Sequence, residues 1–321
     1  MNTYNFNLGT AYRAVRMDPA LDPVPTNPAF KSMEGEIFFF EPQSRMTYER
    51  VMYNIQQGYI TPFDLKVLAL IATFGSACMT NRSLKTLLVL NGEELGSQDH
   101  RLKYSLNRLS RNYLVSFGHF KAPNVPNATM FRVICLTGFG SRVAKSMGIV
   151  HRFNPLEVLD APTAKCRSQI SMVIANFIKN LPDGIDSFEV RPLLLAKEAA
   201  PDGIVRPSAK LRMFGEDVYV EVLRSGFPDH LTFLADKLRR YMLVLGEAPS
   251  LIINGEDEAM NRAIYEYLRD HGEDHGFPLS GILFTDDLAQ FGPGFATCLY
   301  SFDEIGNKVC FEFTSRTNAT A

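Results

Sequence analysis

The sequence predicts a two-domain protein of mixed α+β class, in which a helical unit bearing one hairpin precedes a layered α/β unit. Three observations predict it. With 321 residues, 46% of them hydrophobic, the chain is long enough for two cores. A stretch from 154 to 163, bearing Pro155, Asp160 and Pro162, has the composition of a linker. Before it, helical periodicity ends in a single pair of strands; after it, helices and short apolar strands alternate, as in layered α/β domains.

Residues 1–57 mix aromatics with prolines, and their only strongly apolar run is Ile37-Phe38-Phe39-Phe40. That run is too short for a core, so the segment is expected to be an N-terminal arm packed on the rest. From 58 to 150 the pattern is three helices, two strands and a closing helix. Thr61-Pro62-Phe63-Asp64 starts the first helix: Thr61 can cap, proline suits the first helical position, and the Asp64 carboxylate meets the positive end of the dipole. Leu65, Leu68, Ile71 and Ala72 supply its buried face. Met79 to Ser83 opens a second, short helix through Leu84, Leu87 and Leu88, and Asn91 to Gly96 forms a turn.

The third helix, expected over 97–113, is the most informative. At about 100° per residue, Leu102, Leu106, Leu109 and Tyr113 form one narrow stripe. Arg101, Tyr104, Asn107, Arg108 and Arg111 gather on the opposite face, with Lys103 beside them. These side chains can pair with guanine edges, adenine edges and phosphates in a major groove. A basic helix face is also what an ordinary solvated surface looks like, and the following hairpin favours the first reading. Leu114 to Phe120 and Met130 to Leu136 read as strands around a Pro/Asn-rich tip, which is the wing of a winged helix-turn-helix. His119, Lys121 and Arg132 on that wing are candidate phosphate contacts.

The second domain, 164–315, reads as a helix (about 164–179), a strand (about 186–194) and a hairpin around Gly215. A helix (about 229–245), a strand at Ser250 to Ile253, a helix (about 256–271) and late strands near 281–285 and 295–313 follow. A formal charge of -2 and an isoelectric point near 6.3 argue against a chain that coats nucleic acid along its whole surface, so any DNA contact is local. The five cysteines, Cys78, Cys135, Cys166, Cys298 and Cys310, show no zinc spacing and read as buried thiols in a reducing compartment. The first residues contain no apolar signal core, and no run approaches the roughly 18 apolar residues of a membrane span. A cytoplasmic protein with no membrane association is therefore expected.

Three stretches, ITPFDLKVLALIATFG, RLKYSLNRLSRNYLVSFGHF and FRVICLTGFGSRVAKSMG, resemble the winged helix of replication-relaxation-type proteins. Phe131, Leu136, Thr137 and Gly140 carry the closing aromatic and Leu-Thr-x-x-Gly step, a pattern shared by many winged helices. In that family the second domain resembles a degraded restriction-endonuclease-like fold, and IVRPSAKLRMFGEDVYVEVLRSGFPDHLTFLADKLRRYMLVL is the matching run. The resemblance covers about residues 60–300. It implies a protein of plasmids, conjugative elements or phages that assists DNA relaxation, replication or transfer.

A nuclease of that fold holds Mg²⁺ with carboxylates from two strands and keeps a lysine nearby. Here the Pro-Asp position is Pro207-Ser208, and the Glu-x-Lys position is Glu221-Val222-Leu223-Arg224. Serine cannot replace the lost charge, and arginine does not readily give up a proton to activate water, so no catalytic residue, metal or cofactor is assigned. Glu221 has two readings: a remnant paired with Arg206, Arg212 or Arg224, or a ligand in a site rebuilt with Asp217 or Glu216. Lys237, Arg239 and Arg240 mark either a second basic surface or the wet side of a packed helix. His271 and His275 sit among turn residues, the glycine-rich stretches lack the context of phosphate loops, and no nucleophile elbow occurs.

The expected function is non-enzymatic binding of double-stranded DNA at a particular sequence or structure. A homodimer, by analogy, would place two recognition helices one DNA turn apart, and a protein partner from the same mobile element is also implied. Three rivals remain open: a divergent Mg²⁺-dependent nuclease, a transcription regulator with a ligand-sensing or dimerisation domain, and an interaction protein that no longer uses its winged helix on DNA.

Overall fold

A computed structural model of the chain describes residues 37–40, 46–75, 78–96, 100–120, 131–151, 153, 161–196, 203–224, 229–292 and 295–311. The fold is mixed α+β and divides into two compact units, the first ending at Val190 and the second beginning at Arg191. The division thus falls beyond the expected linker at 154–163, whose residues 154–160 lie outside the described residues.

In the first unit, β1 (Ile37–Phe40) runs antiparallel to β3 (Val115–Phe120), with Ile37 opposite Phe120. The expected arm thus supplies a sheet strand. It also supplies a helix that the pattern did not indicate, α1 (Tyr48–Gln56), capped by Thr47 and anchored by fully buried Val51. α2 (Pro62–Phe74) is apolar nearly all round and lies at the centre of the unit, with Val67, Leu68 and Ala72 fully buried. Its start is the capping box read from Thr61 and Asp64. β2 (Met79–Thr80) pairs with β4 (Phe131–Leu136), and Thr80 then caps α3 (Asn81–Leu90) through Ser83.

α4 (His100–Arg111) is shorter than expected, and residues 97–99 lie outside the described residues. Leu102, Leu106 and Leu109 are its buried stripe, as the periodicity requires. Tyr113, the expected last member, lies past the helix end at φ 62°, where the chain turns into β3. β3 and β4 form the antiparallel hairpin, and the sheet order is β1-β3-β4-β2. α5 (Gly138–Ser146) is capped by Thr137, whose hydroxyl also donates to the Tyr113 carbonyl. α6 (Ala161–Asn180) packs on α3 and β2, with Ser171 Oγ 2.8 Å from Ser83 Oγ, and this packing places it in the first unit. β5 (Ile185–Val190) ends the unit.

The second unit opens with a two-stranded antiparallel ribbon, β6 (Leu194–Leu195) and β7 (Ile204–Val205). β8 (Ala209–Met213) and β9 (Glu216–Val222) form a hairpin whose two-residue turn, Phe214-Gly215, has positive φ at both positions, as tight hairpins of this hand require. α7 (His230–Leu245) crosses to β10 (Ser250–Gly255), parallel to β9. α8 (Glu258–Asp270) and the short α9 (Gly272–His275) lead to β11 (Ile282–Asp286), parallel to β10. α10 (Asp287–Phe291) is followed by the antiparallel β12 (Leu299–Phe302) and β13 (Lys308–Phe311). These strands run in the order β13-β12-β11-β10-β9-β8. Leu234, Leu238 and Tyr241 of α7 and Ile264 and Leu268 of α8 bury against Leu251, Ile253 and Phe284.

The cysteines are not uniformly buried: Cys78 and Cys298 are, Cys135 and Cys166 are partly exposed, and Cys310 is exposed on the outer strand β13. His275 is buried and bonded on both ring nitrogens to backbone, Nε2 to Leu268 O and Nδ1 to Phe277 N. Its role is structural. Among the described residues no helix is long and apolar enough to cross a membrane.

Gly140 shows how tightly the first unit closes. A Cβ there would lie 2.0 Å from the Leu114 carbonyl oxygen and 2.9 Å from Leu136 Cδ1. Neither neighbour is the loose end of a surface side chain, so Gly140→Ala should destabilise the protein by about 1–3 kcal/mol in urea unfolding.

Candidate functional site

The outward face of α4 is set by how α4 is held. Asp64, at the start of α2, is fully buried and accepts from the Thr61 backbone at 2.7 Å. Arg108 reaches it from α4 with two parallel bonds, Nε to Oδ2 and the second nitrogen to Oδ1, each 2.8 Å. This fork-to-carboxylate geometry is the strong form of an ion pair. Burial works against the Asp64 charge, but the Arg108 hydrogen bonds and those at Thr61 outweigh it, so the carboxyl titrates below its ordinary range. Arg108 is therefore a clamp between helices. Of the candidate DNA contacts on α4, Arg108 is thus the one already committed to a carboxylate within the protein.

Arg101 is half engaged. It donates to Glu93 at 3.1 Å and lies over the Phe63 ring at 3.9 Å from the centroid, with 54% of its side chain still exposed. Glu93 also holds Lys66, so this carboxylate gathers two cations beside the start of α4. Tyr104 is 58% exposed, and its ring stacks on His100. The side chains of Lys103, Asn107 and Arg111 are exposed on α4 and make no hydrogen bond or ion pair with any described residue. Arg132, on β4, is half-buried, donates to Asn81 at 3.3 Å and covers Phe117. His119 lies on β3 opposite Arg132, though its side chain is outside what is described, as is Lys121 entirely.

The structure thus brings Arg101, Lys103, Tyr104, Asn107 and Arg111 onto one helix, on the side away from Leu102, Leu106 and Leu109. The clamp at Arg108 and the Glu93 hub escaped sequence reasoning. Asp64 had already been accounted for as a cap, and no local spacing links it to a residue 44 positions away. The C-terminal end of α4 is held as well: Asn54 of α1 donates to Asn112 at 2.7 Å, and Asn112 donates to the Arg108 carbonyl.

In the second unit, Ser208 and Glu221 meet. Ser208 Oγ donates to Glu221 Oε2 at 3.1 Å and accepts from the Val222 backbone. Glu221 is only 1% exposed, and its other donors come from α7: Lys237 Nζ at 2.6 Å and Tyr241 OH at 2.7 Å. Burial and the Glu221 charge together push the Tyr241 hydroxyl well above its ordinary range. The expected partners of Glu221 are corrected accordingly. Arg212 pairs with Asp217, and Arg224, fully buried, pairs with Asp287 and Asn254. Lys237 is drawn inward, and Arg239 and Arg240 both pair with Asp236 of the same helix, which leaves α7 a poor match for a basic surface. Among the described residues there is no group of three or more His, Cys, Asp or Glu side chains placed to hold a metal ion.

No family model and no curated protein matches the chain. Among solved structures, the crystal structure of protein VC1899 from Vibrio cholerae aligns with 78% of this chain and 55% of its own, at 11% identity and a TM-score of 0.24. This chain therefore spans about half the length of that protein.

Removing the clamp while keeping the buried carboxylate measures the cost of leaving Asp64 unpaired. Arg108→Met should cost about 2–4 kcal/mol at neutral pH, somewhat less than breaking a fully buried pair because Arg108 itself is 37% exposed. Asp64 titrates lower folded than unfolded, so its contribution is complete above the ordinary carboxylate range and lost as pH falls through the folded value. Urea unfolding at pH 7 and pH 3 should show the gap between wild type and Arg108→Met narrowing at the lower pH.

Proposed function

We propose that the first unit is a winged helix-turn-helix that binds double-stranded DNA through α4, in a non-catalytic accessory protein of plasmid or mobile-element replication, relaxation or transfer. The observation that carries this reading is the outer face of α4, where Arg101, Lys103, Tyr104, Asn107 and Arg111 stand clear of the buried leucine stripe. The order α2, α3, α4 and then the β3–β4 hairpin, with β2 pairing on β4, suits such a domain. Lys103 and Arg111 would meet phosphates and Asn107 a base edge, while Arg108 holds the helix at its angle to α2.

The second unit is read as a degenerate endonuclease-like domain that serves partner binding or self-association. Over the run that carries the resemblance, the β8–β9 hairpin is followed by α7, and Ser208 stands beside Glu221 where a second carboxylate would be needed. Glu221 is sealed from solvent and neutralised by Lys237, which favours a structural role over metal binding.

The test is duplex binding measured against salt for the wild type and for the Lys103→Ala, Asn107→Ala, Arg111→Ala triple variant. These positions are exposed, so folding should be unaffected. Affinity should fall about tenfold or more, and the salt slope should become shallower by roughly one for each lost phosphate contact. Unchanged affinity and slope would remove α4 as the interface.

A further inference from the structure

Cys78 and Cys135 are far apart in sequence but face each other across two strands. Met79 pairs with Ile134 and Thr80 with Val133 in antiparallel register, so Cys78, at the entrance to β2, stands opposite Cys135 on β4. Their sulfurs are 3.3 Å apart. A disulfide needs about 2.05 Å between sulfurs and about 3.5–4.5 Å between Cβ atoms, at or just below the roughly 4.5–5.5 Å of directly opposed strand residues. Small side-chain rotations and a slight strand approach cover the difference. Cys78 is buried, and Cys135 is partly exposed as a residue with its thiol group buried, so a small oxidant reaches its sulfur only slowly.

We propose that Cys78 and Cys135 form a reversible intramolecular disulfide on exposure to hydrogen peroxide, pinning β4 to the segment that enters α3. The Cys135 sulfur, its proton lost to solvent, attacks one peroxide oxygen. The O–O bond breaks, and the departing hydroxide takes up a proton to give water and a sulfenic acid on Cys135. The Cys78 sulfur then attacks the Cys135 sulfur, the S–O bond breaks, and the hydroxide leaves with the Cys78 proton as a second water. Two thiols lose two hydrogens and one peroxide becomes two waters. The hydrogen bond with Cys78, together with burial, holds the Cys135 thiol well above its ordinary range, so the first step is slow at neutral pH.

The bond would enclose α3, α4 and the β3–β4 hairpin in one covalent loop and fix the hairpin base against the Thr80 cap. It stands independently of the DNA-binding reading, since it rests on strand register and the sulfur separation. Peroxide treatment of the full chain followed by intact mass and non-reduced peptide mapping tests it. The expected result is loss of two hydrogens, a linked Cys78–Cys135 peptide, reversal by a thiol reductant, and a thermal midpoint several degrees above that of the reduced protein. The linkage and the rise in midpoint should both disappear in Cys135→Ala. Recovery of both residues as thiols, or as sulfinic acids without the linked peptide, under conditions that oxidise exposed Cys310 would overturn the proposal. So would a linked protein that melts no higher than the reduced one.

Discussion

The ion pair between Asp64 and Arg108 governs the candidate interface. A fully buried carboxylate at the start of the central helix α2 needs a compensating charge, and α4 supplies it from its own outer edge. That requirement fixes which way α4 is rolled. With Arg108 turned toward α2 and the leucines turned into the core, Lys103, Asn107 and Arg111 are left facing out. One arginine is given up to orientation so that the remaining polar side chains share a face.

Much of the first unit was legible because its signals are local. Thr61 with Asp64 and Thr80 with Ser83 fold back on their own backbone amides within one turn, so sequence spacing alone specifies them. Leu102, Leu106 and Leu109 repeat at the helical period, so the buried side of α4 could be read as well. What could not be read depends on residues distant in sequence. Strand β1 exists because β3 offers it an edge, and α1 is held by Asn54 bonding to Asn112, 58 positions away. The roles of Arg108 and Arg101 were decided by Asp64, Glu93 and Phe63 on other elements.

The same distinction explains the second unit. Helix and strand order followed from periodicity, but the partner of Glu221 did not. Among four nearby cations, geometry chose Lys237, because α7 lies across the end of β9 with Lys237 and Tyr241 one turn apart on its inner side. Arginines closer in sequence were taken by Asp217 and Asp287 instead. A carboxylate enclosed by serine, lysine and tyrosine has the chemistry of a core anchor, with its charge balanced inside the protein.

Site-specific photocrosslinking to duplex DNA from a reactive group placed at Asn107 tests whether α4 is the interface, with Glu266, exposed on α8 of the second unit, as the control position. The expected result is a crosslink from position 107 that is competed away by unlabelled duplex, and none from position 266. Crosslinking from 266 alone, or from neither position under conditions where the protein binds the duplex, would contradict it.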